Sequence, residues 1–110
     1  QQGPVVRQID IPASDFSIVK EGMRLGVLQG TGTSLNVPYV EVATKSGTAE
    51  LGTAKDNVNS WMTGYFPYKN PRYAFAILME KGSVHNLIGA GAAMREVMDW
   101  MSVNTPEYFK

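Results

Sequence analysis

Residues 59 to 79 read Asn59-Ser60-Trp61-Met62-Thr63-Gly64-Tyr65-Phe66-Pro67-Tyr68-Lys69-Asn70-Pro71-Arg72-Tyr73-Ala74-Phe75-Ala76-Ile77-Leu78-Met79, and this stretch decides the architecture. Its aromatic and β-branched residues fall in two runs, 61 to 66 and 73 to 79, which predict two strands. Between them Pro67 to Arg72 holds two prolines and an Asn-Pro step, short enough for a hairpin. Residues 39 to 51 mix β-branched and polar types and predict a third strand, so an antiparallel meander is the economical arrangement. In the run from 73 to 79 one face carries Tyr73, Phe75, Ile77 and Met79, and the other carries Ala74, Ala76 and Leu78. With no polar face, the strand is expected to be covered on both sides.

Upstream of the strands, Phe16, Val19, Met23 and Val27 recur at spacings of three and four and predict an amphipathic helix over about residues 15 to 28, with Ser14 or Asp15 capping its first turn. Gly22 and Gly26 each cost a helix interior roughly 1 kcal/mol relative to Ala, which points to close packing against a neighbour. Gly30 to Thr33 are expected to end the helix in a flexible loop. Downstream, Met94, Val97, Met98 and Met101 form a stripe on a second helix over about residues 88 to 102, where Arg95 and Asp99 can pair and the small residues Gly89 to Ala93 allow close approach to the sheet. The expected fold is therefore α+β, a three-stranded antiparallel meander flanked by an N-terminal and a C-terminal helix. Residues 1 to 13 read as an extended leader or cloning junction, and residues 14 to 110 as one unit.

Composition narrows the functional classes. The 110 residues carry ten Lys plus Arg against ten Asp plus Glu, so no field attracts a polyanion and nucleic acid is not an expected partner. There is no Cys and a single His, which removes disulfides, thiolate zinc sites and His-rich metal sites, and neither metal nor cofactor is expected. The apolar run from Tyr73 to Met79 is far short of the roughly 20 residues that span a bilayer. The start lacks a secretory pattern, so any export signal or anchor would have to lie upstream.

The most unusual segment is Thr44-Lys45-Ser46-Gly47-Thr48-Ala49-Glu50. A cation, two hydroxyls and a glycine on one strand suit an anionic, peptide-like ligand; the competing reading is an ordinary polar edge strand. A phosphate loop fits poorly, because the glycines that should precede the lysine are absent. Strict alternation places Lys45 and Gly47 on one face and Ser46 and Thr48 on the other, so a shared groove requires an edge strand whose twist lets both reach it. His85, in a Gly-Ser-Val-His-Asn turn, is expected to be solvated, and the aromatic residues Trp61, Tyr65, Phe66, Tyr73 and Phe75 to be core. Asp56 and Glu50 lack the paired arrangement of general acid and base work.

Lys45-Ser46-Gly47-Thr48-Ala49, followed by Asn59 to Pro67, the Tyr-Ala-Phe-Ala strand and a small-residue helix start, resembles the C-terminal part of a penicillin-binding protein transpeptidase domain, the class B type more than others. The same fold family includes serine β-lactamases and penicillin sensors; the Gly64-Tyr65-Phe66-Pro67 ending favours the penicillin-binding proteins. The resemblance implies a serine D,D-transpeptidase that crosslinks peptidoglycan stem peptides and is acylated by β-lactams, anchored at the extracytoplasmic face of the bacterial membrane by upstream sequence. It assigns Lys45 and Thr48 catalytic roles, Lys45 supplying charge and the Thr48 N–H an oxyanion donor. Ser46, Gly47, Thr48 and Ala49 would bind substrate, with the Ser46 and Thr48 hydroxyls on its carboxylate. Glu50 stands where many relatives have Gln.

In the family the Ser-x-x-Lys nucleophile and Ser-x-Asn motifs lie far upstream of the triplet, and no Ser-x-x-Lys occurs here at that place in the family order. Ser17-Ile18-Val19-Lys20 fits the string by coincidence, in the helix just before the triplet. The chain alone is thus expected to be inactive and to need the upstream part of the same protein as partner. Unpaired strand edge and apolar surface around Trp61, Tyr65, Phe75 and Ile77 are expected to lead either to self-association of the isolated segment through the sheet or to retention of the upstream polypeptide as a nicked partner. The alternative from another class is a non-catalytic interaction module.

Overall fold

The computed structural model describes residues 3–86 and 88–110; Gln1 and Gln2, the start of the expected leader, lie outside the described residues. Helix α1 (Ala13–Gln29) leads to strands β1 (Ala43–Leu51), β2 (Asn57–Phe66) and β3 (Tyr73–Ser83), and helix α2 (Ala90–Asn104) follows, with short 3-10 turns at Thr33–Leu35 and Pro106–Phe109. The strands pair antiparallel in the order β1-β2-β3, the expected meander.

Helix α1 begins earlier than the apolar stripe suggests. Pro12 occupies the N-cap, its carbonyl accepting from the Asp15 and Phe16 N–H groups at 3.0 and 3.3 Å. Neither Ser14 nor Asp15 caps the helix; both sit inside the first turn, where the Asp15 carboxylate faces the positive end of the helix dipole. Along the stripe Val27 is fully buried, but Phe16 and Val19 stay 44% and 59% exposed. The reason is that only the C-terminal half of α1 meets the sheet. Arg24 Nη1 donates to the Val42 carbonyl at 2.9 Å, and a Cβ at Gly26 would stand 3.3 Å from the Thr44 carbonyl, so Gly26 serves close packing. Gly22 faces open space.

The core lies between one face of the sheet and α2. Register pairs Met62 with Ile77 and Phe66 with Tyr73, and these side chains pack with Ala90, Met94 and Met98. Leu35, Val37, Val40 and Val42 complete it from the α1–β1 connection. Strand β1 begins at Ala43, not at residue 39, because its partner β2 ends at Phe66 and Pro67 has no N–H to extend the ladder. Strand β3 runs to Ser83, past a bulge at which Glu80 and Lys81 oppose Asn59; Lys81 sits at φ +53° with its N–H donating to Asn59 Oδ1 at 3.0 Å. The small first turn of α2 approaches the sheet closely as expected: a Cβ at Gly91 would be 2.9 Å from Met62 Cε of β2. Phe66, Tyr39 and Phe109 close one end of the core, with ring centroids 5.4 Å apart for Phe66–Phe109 and 5.0 Å for Tyr39–Phe109.

Two expectations are corrected. Ala74 and Ala76 are exposed, so the second sheet face is not covered by this chain, whose helices occupy the opposite face and the β1 margin. Phe75 and Ile77 pack against the core, and the exposed large apolar side chains include Trp61 on the sheet, Phe16, Ile18 and Val19 on α1, and Trp100 and Val103 on α2.

The Arg95–Asp99 pair exists, at 2.8 Å, within a larger network: Tyr39 Oη donates to Asp99 Oδ1 at 2.8 Å and Arg95 Nη1 donates to the Ser34 carbonyl at 3.0 Å. Tyr39 first and Arg95 second hold the Asp99 carboxyl below its ordinary value of 3.8. Its folded pKa is depressed, so the contribution is present above about pH 3.8 and is lost as pH falls through the lower folded value. Asp99→Asn is therefore expected to lower the urea midpoint at pH 7 and to flatten its decline below about pH 4. Identical acid limbs for the two proteins would show that Asp99 carries no linkage.

Candidate functional site

Strand β1 is an edge strand of this sheet, so half of its backbone donors and acceptors turn away from β2. The register sets its two faces. Thr44, Ser46 and Thr48 oppose Gly64, Met62 and Ser60, on the α2 side; Lys45 and Gly47 oppose Thr63 and Trp61, on the open side. The alternation is thus strict. Lys45 Nζ donates to the Ser46 carbonyl at 2.6 Å, folding the ammonium back along the strand.

Beside β1 on the α2 side is a groove of about 250 Å³ whose lining includes Thr31, Ser46, Gly47, Thr48, Ser60 and Ala90. Its polar groups are hydroxyls and backbone; no carboxylate lines it. Thr31 Oγ1 and Ser46 Oγ are 2.6 Å apart. Ser60 Oγ accepts the Ala90 N–H at 2.9 Å, doing from a neighbouring strand what an N-cap side chain does, since Gly89 at the cap position has none. That bond brings the positive end of α2 to the groove wall. A second cleft, between α1 and β1, is lined by Val19, Met23, Thr44, Lys45 and Ser46, so the Lys45–Ser46 peptide forms a ridge between two depressions. Gly47 is exposed, and a Cβ there would meet only Trp61 Cβ, at 3.6 Å, which is ordinary contact. Nothing among the described residues requires glycine at 47; the open approach to the backbone is what a side chain would take away.

The chemistry available is that of an anion receptor: one ammonium, a row of hydroxyl donors and a helix N-terminus, with Gly47 leaving the strand accessible. Lys45, Ser46, Gly47 and Thr48 come together at this margin, while Ala49 follows exposed along β1. Glu50 turns to Lys55, 3.2 Å away at the β1–β2 turn. His85 is exposed, with only its backbone N–H held, by Ser83 Oγ at 3.2 Å. Ser17 Oγ donates to the Ala13 carbonyl at 3.0 Å within its own helix, and Ser17 and Lys20 line a different cleft with Tyr68 and Lys69. No His, Cys or carboxylate cluster suited to a metal is found among the described residues. Sequence reasoning missed Thr31 and Ser60. The only signal for Thr31 was a threonine set between two glycines; Ser60 had none.

The sequence profile of the penicillin-binding protein transpeptidase domain matches residues 1–99. Among curated proteins, the peptidoglycan D,D-transpeptidase MrdA of Escherichia coli strain K12 is 29% identical over 107 residues, covering 82% of this chain and 16% of that protein. Penicillin-binding protein H of Bacillus subtilis strain 168 is 32% identical over 83 residues, covering 68% of this chain and 12% of that protein. The chain thus spans less than a fifth of these relatives. Among solved structures, the D,D-transpeptidase domain of a peptidoglycan glycosyltransferase from Eggerthella lenta superposes with a TM-score of 0.61 at 30% identity, over 78% of this chain and 19% of that one.

Proposed function

Because the chain belongs to the penicillin-binding protein transpeptidase domain family, we propose that it forms the triplet-bearing wall of a serine D,D-transpeptidase whose nucleophile is supplied by sequence outside these 110 residues. The observation that carries this reading is the edge strand β1, which presents Lys45, Ser46 and Thr48 beside a carboxylate-free groove at the N-terminus of α2. In the reaction the serine oxygen bonds to the carbonyl carbon of the penultimate D-Ala of a stem peptide, and its proton passes to the departing D-Ala amine as the amide C–N bond breaks. An amine of a second stem peptide then bonds to the same carbon and returns the serine. β-Lactams acylate the serine through their own strained amide.

The residues of this chain divide the work. Lys45 lowers the cost of negative charge and proton movement at the serine. The Ser46 and Thr48 hydroxyls hold the terminal carboxylate of the substrate, with Gly47 and Ala49 keeping the strand open to the peptide backbone. The Thr48 N–H is one of two donors to the tetrahedral oxyanion, an interaction whose loss typically costs about 2.7 to 4 kcal/mol. The partners are then the stem peptide, β-lactams and the upstream part of the same protein. The location is the extracytoplasmic membrane face, reached through an upstream anchor; no helix among the described residues is long and apolar enough to cross a membrane. That the relatives carry transpeptidase and penicillin-binding names supports this over a lactamase or a non-catalytic module.

Incubation of the 110-residue chain with benzylpenicillin is expected to give no covalent adduct by intact mass, while the full-length protein gains one equivalent. A stoichiometric adduct on the chain, at Ser17 or elsewhere, would overturn the assignment of the nucleophile to another segment.

A further inference from the structure

The Gly30-Thr31-Gly32 turn, expected from the sequence to be a flexible loop, is tightly built. The N–H groups of Gly30 and Gly32 both donate to the Gly26 carbonyl, at 3.1 and 2.9 Å. Neither glycine has room for a side chain. A Cβ at Gly30 would lie 2.9 Å from Gly26 Cα and the Gly26 carbonyl oxygen, and one at Gly32 would overlap Thr44 Oγ1, a hydroxyl buried without a hydrogen-bond partner among the described residues. The turn is thus pressed onto β1 at Thr44, and what it projects is one hydroxyl: Thr31 Oγ1, 2.6 Å from Ser46 Oγ.

Two hydroxyls at that distance share one proton between them, and which one donates decides what the other can offer. If Thr31 donates, one lone pair of Ser46 Oγ is taken up, and the Ser46 O–H is left free to point onward to a ligand. A carboxylate in the groove accepts only, so it selects this arrangement; a neutral ester oxygen accepts more weakly and gains less from it. We propose that Thr31 is a positioning residue that orients the Ser46 hydroxyl as a donor and thereby sets the preference of the site for a ligand carboxylate. The inference rests on the functional reading given above and adds to it a residue outside the triplet together with the property it controls.

The test uses the full-length protein and two ligands, benzylpenicillin and its methyl ester, with the ratio of their acylation rate constants as the readout. A general loss of fold or of nucleophile reactivity slows both ligands and leaves the ratio alone. Thr31→Val keeps the shape of the side chain and removes the hydroxyl, and is expected to reduce the ratio about tenfold, the effect of one charge-assisted hydrogen bond. Thr31→Ser is expected to restore it, and in a Ser46→Ala background Thr31→Val is expected to change it no further. Should Thr31→Val depress the melting temperature, the Thr31→Ser and Ser46→Ala comparisons decide the matter. A wild-type ratio in Thr31→Val, or an additive effect in the double variant, overturns the role of Thr31 if Lys45→Ala still slows acylation. If Lys45→Ala also acylates at the wild-type rate, the functional reading itself falls.

Discussion

Lys45→Ala in the full-length protein is expected to slow acylation by benzylpenicillin by about 100-fold or more, with a melting temperature nearly equal to wild type. The two halves of this expectation have separate origins. Lys45 is exposed, its ammonium bonded only to the carbonyl of the next residue, and an exposed lysine contributes little to folding. In the assembled site the same ammonium would stand where negative charge develops during acylation, beside a groove whose lining holds no carboxylate to neutralise it. Stopped-flow acylation and thermal melting on the same preparations measure both. Wild-type rates would return Lys45-Ser46-Gly47 to the reading of an ordinary polar edge strand.

The second large effect comes from one substitution made at two glycines on paired strands. At Gly64 a Cβ would overlap the Ala43 carbonyl oxygen and lie 2.7 Å from Phe75 Cζ, so backbone on one side and a packed ring on the other leave nowhere to yield. Gly64→Ala is expected to cost about 3 kcal/mol of stability, the upper range for overpacking. At Gly47 the new Cβ meets only Trp61 Cβ, at 3.6 Å, and the change in stability is expected to stay within about 0.5 kcal/mol. Acylation reverses the order, because Gly47 lines the groove and a methyl there crowds the exposed β1 backbone that a ligand must reach: of the two, Gly47→Ala is expected to slow it in fully folded protein. Equal unfolding midpoints in urea for the two variants would contradict the packing argument; equal acylation would contradict the ligand argument.

What could be read from the sequence was what is periodic and local. The alternation of Tyr73, Phe75, Ile77 and Met79 located β3 and its core face, and the turn chemistry of Pro67 to Arg72 located the hairpin. Met94 and Met98 located the buried stripe of α2. The misreadings lie where tertiary contact overrides local pattern. Val40 and Val42 fall within the predicted strand but line the core ahead of the ladder, which begins at Ala43. Ser14 and Asp15 look like caps, yet Pro12 supplies the helix start through its carbonyl. Gly30 to Thr33 reads as slack because nothing local reveals that Thr44 presses on it from another element. At the site, the triplet was legible because family resemblance gave three common residues a context. Thr31 and Ser60 were not, because their meaning lies in atoms 15 and 30 residues away in sequence, Ser46 Oγ and the Ala90 N–H.

The Ser60–Ala90 hydrogen bond also constrains how this sequence can vary. Ser60 supplies the acceptor that starts α2, and a Cβ at Gly89 would stand only 2.9 Å from that same oxygen. A change at either position alone therefore meets a barrier. Losing the hydroxyl leaves a helix start without its acceptor, at about 1 kcal/mol, and gaining a side chain at 89 collides with it. Losing the hydroxyl at 60 without this cost takes a double change, a capping residue such as Ser or Asp arriving at 89 as the oxygen at 60 departs. Positions 60 and 89 therefore drift as a single unit, and a random library across this segment would yield surviving variants in which the two are statistically tied although neither is invariant.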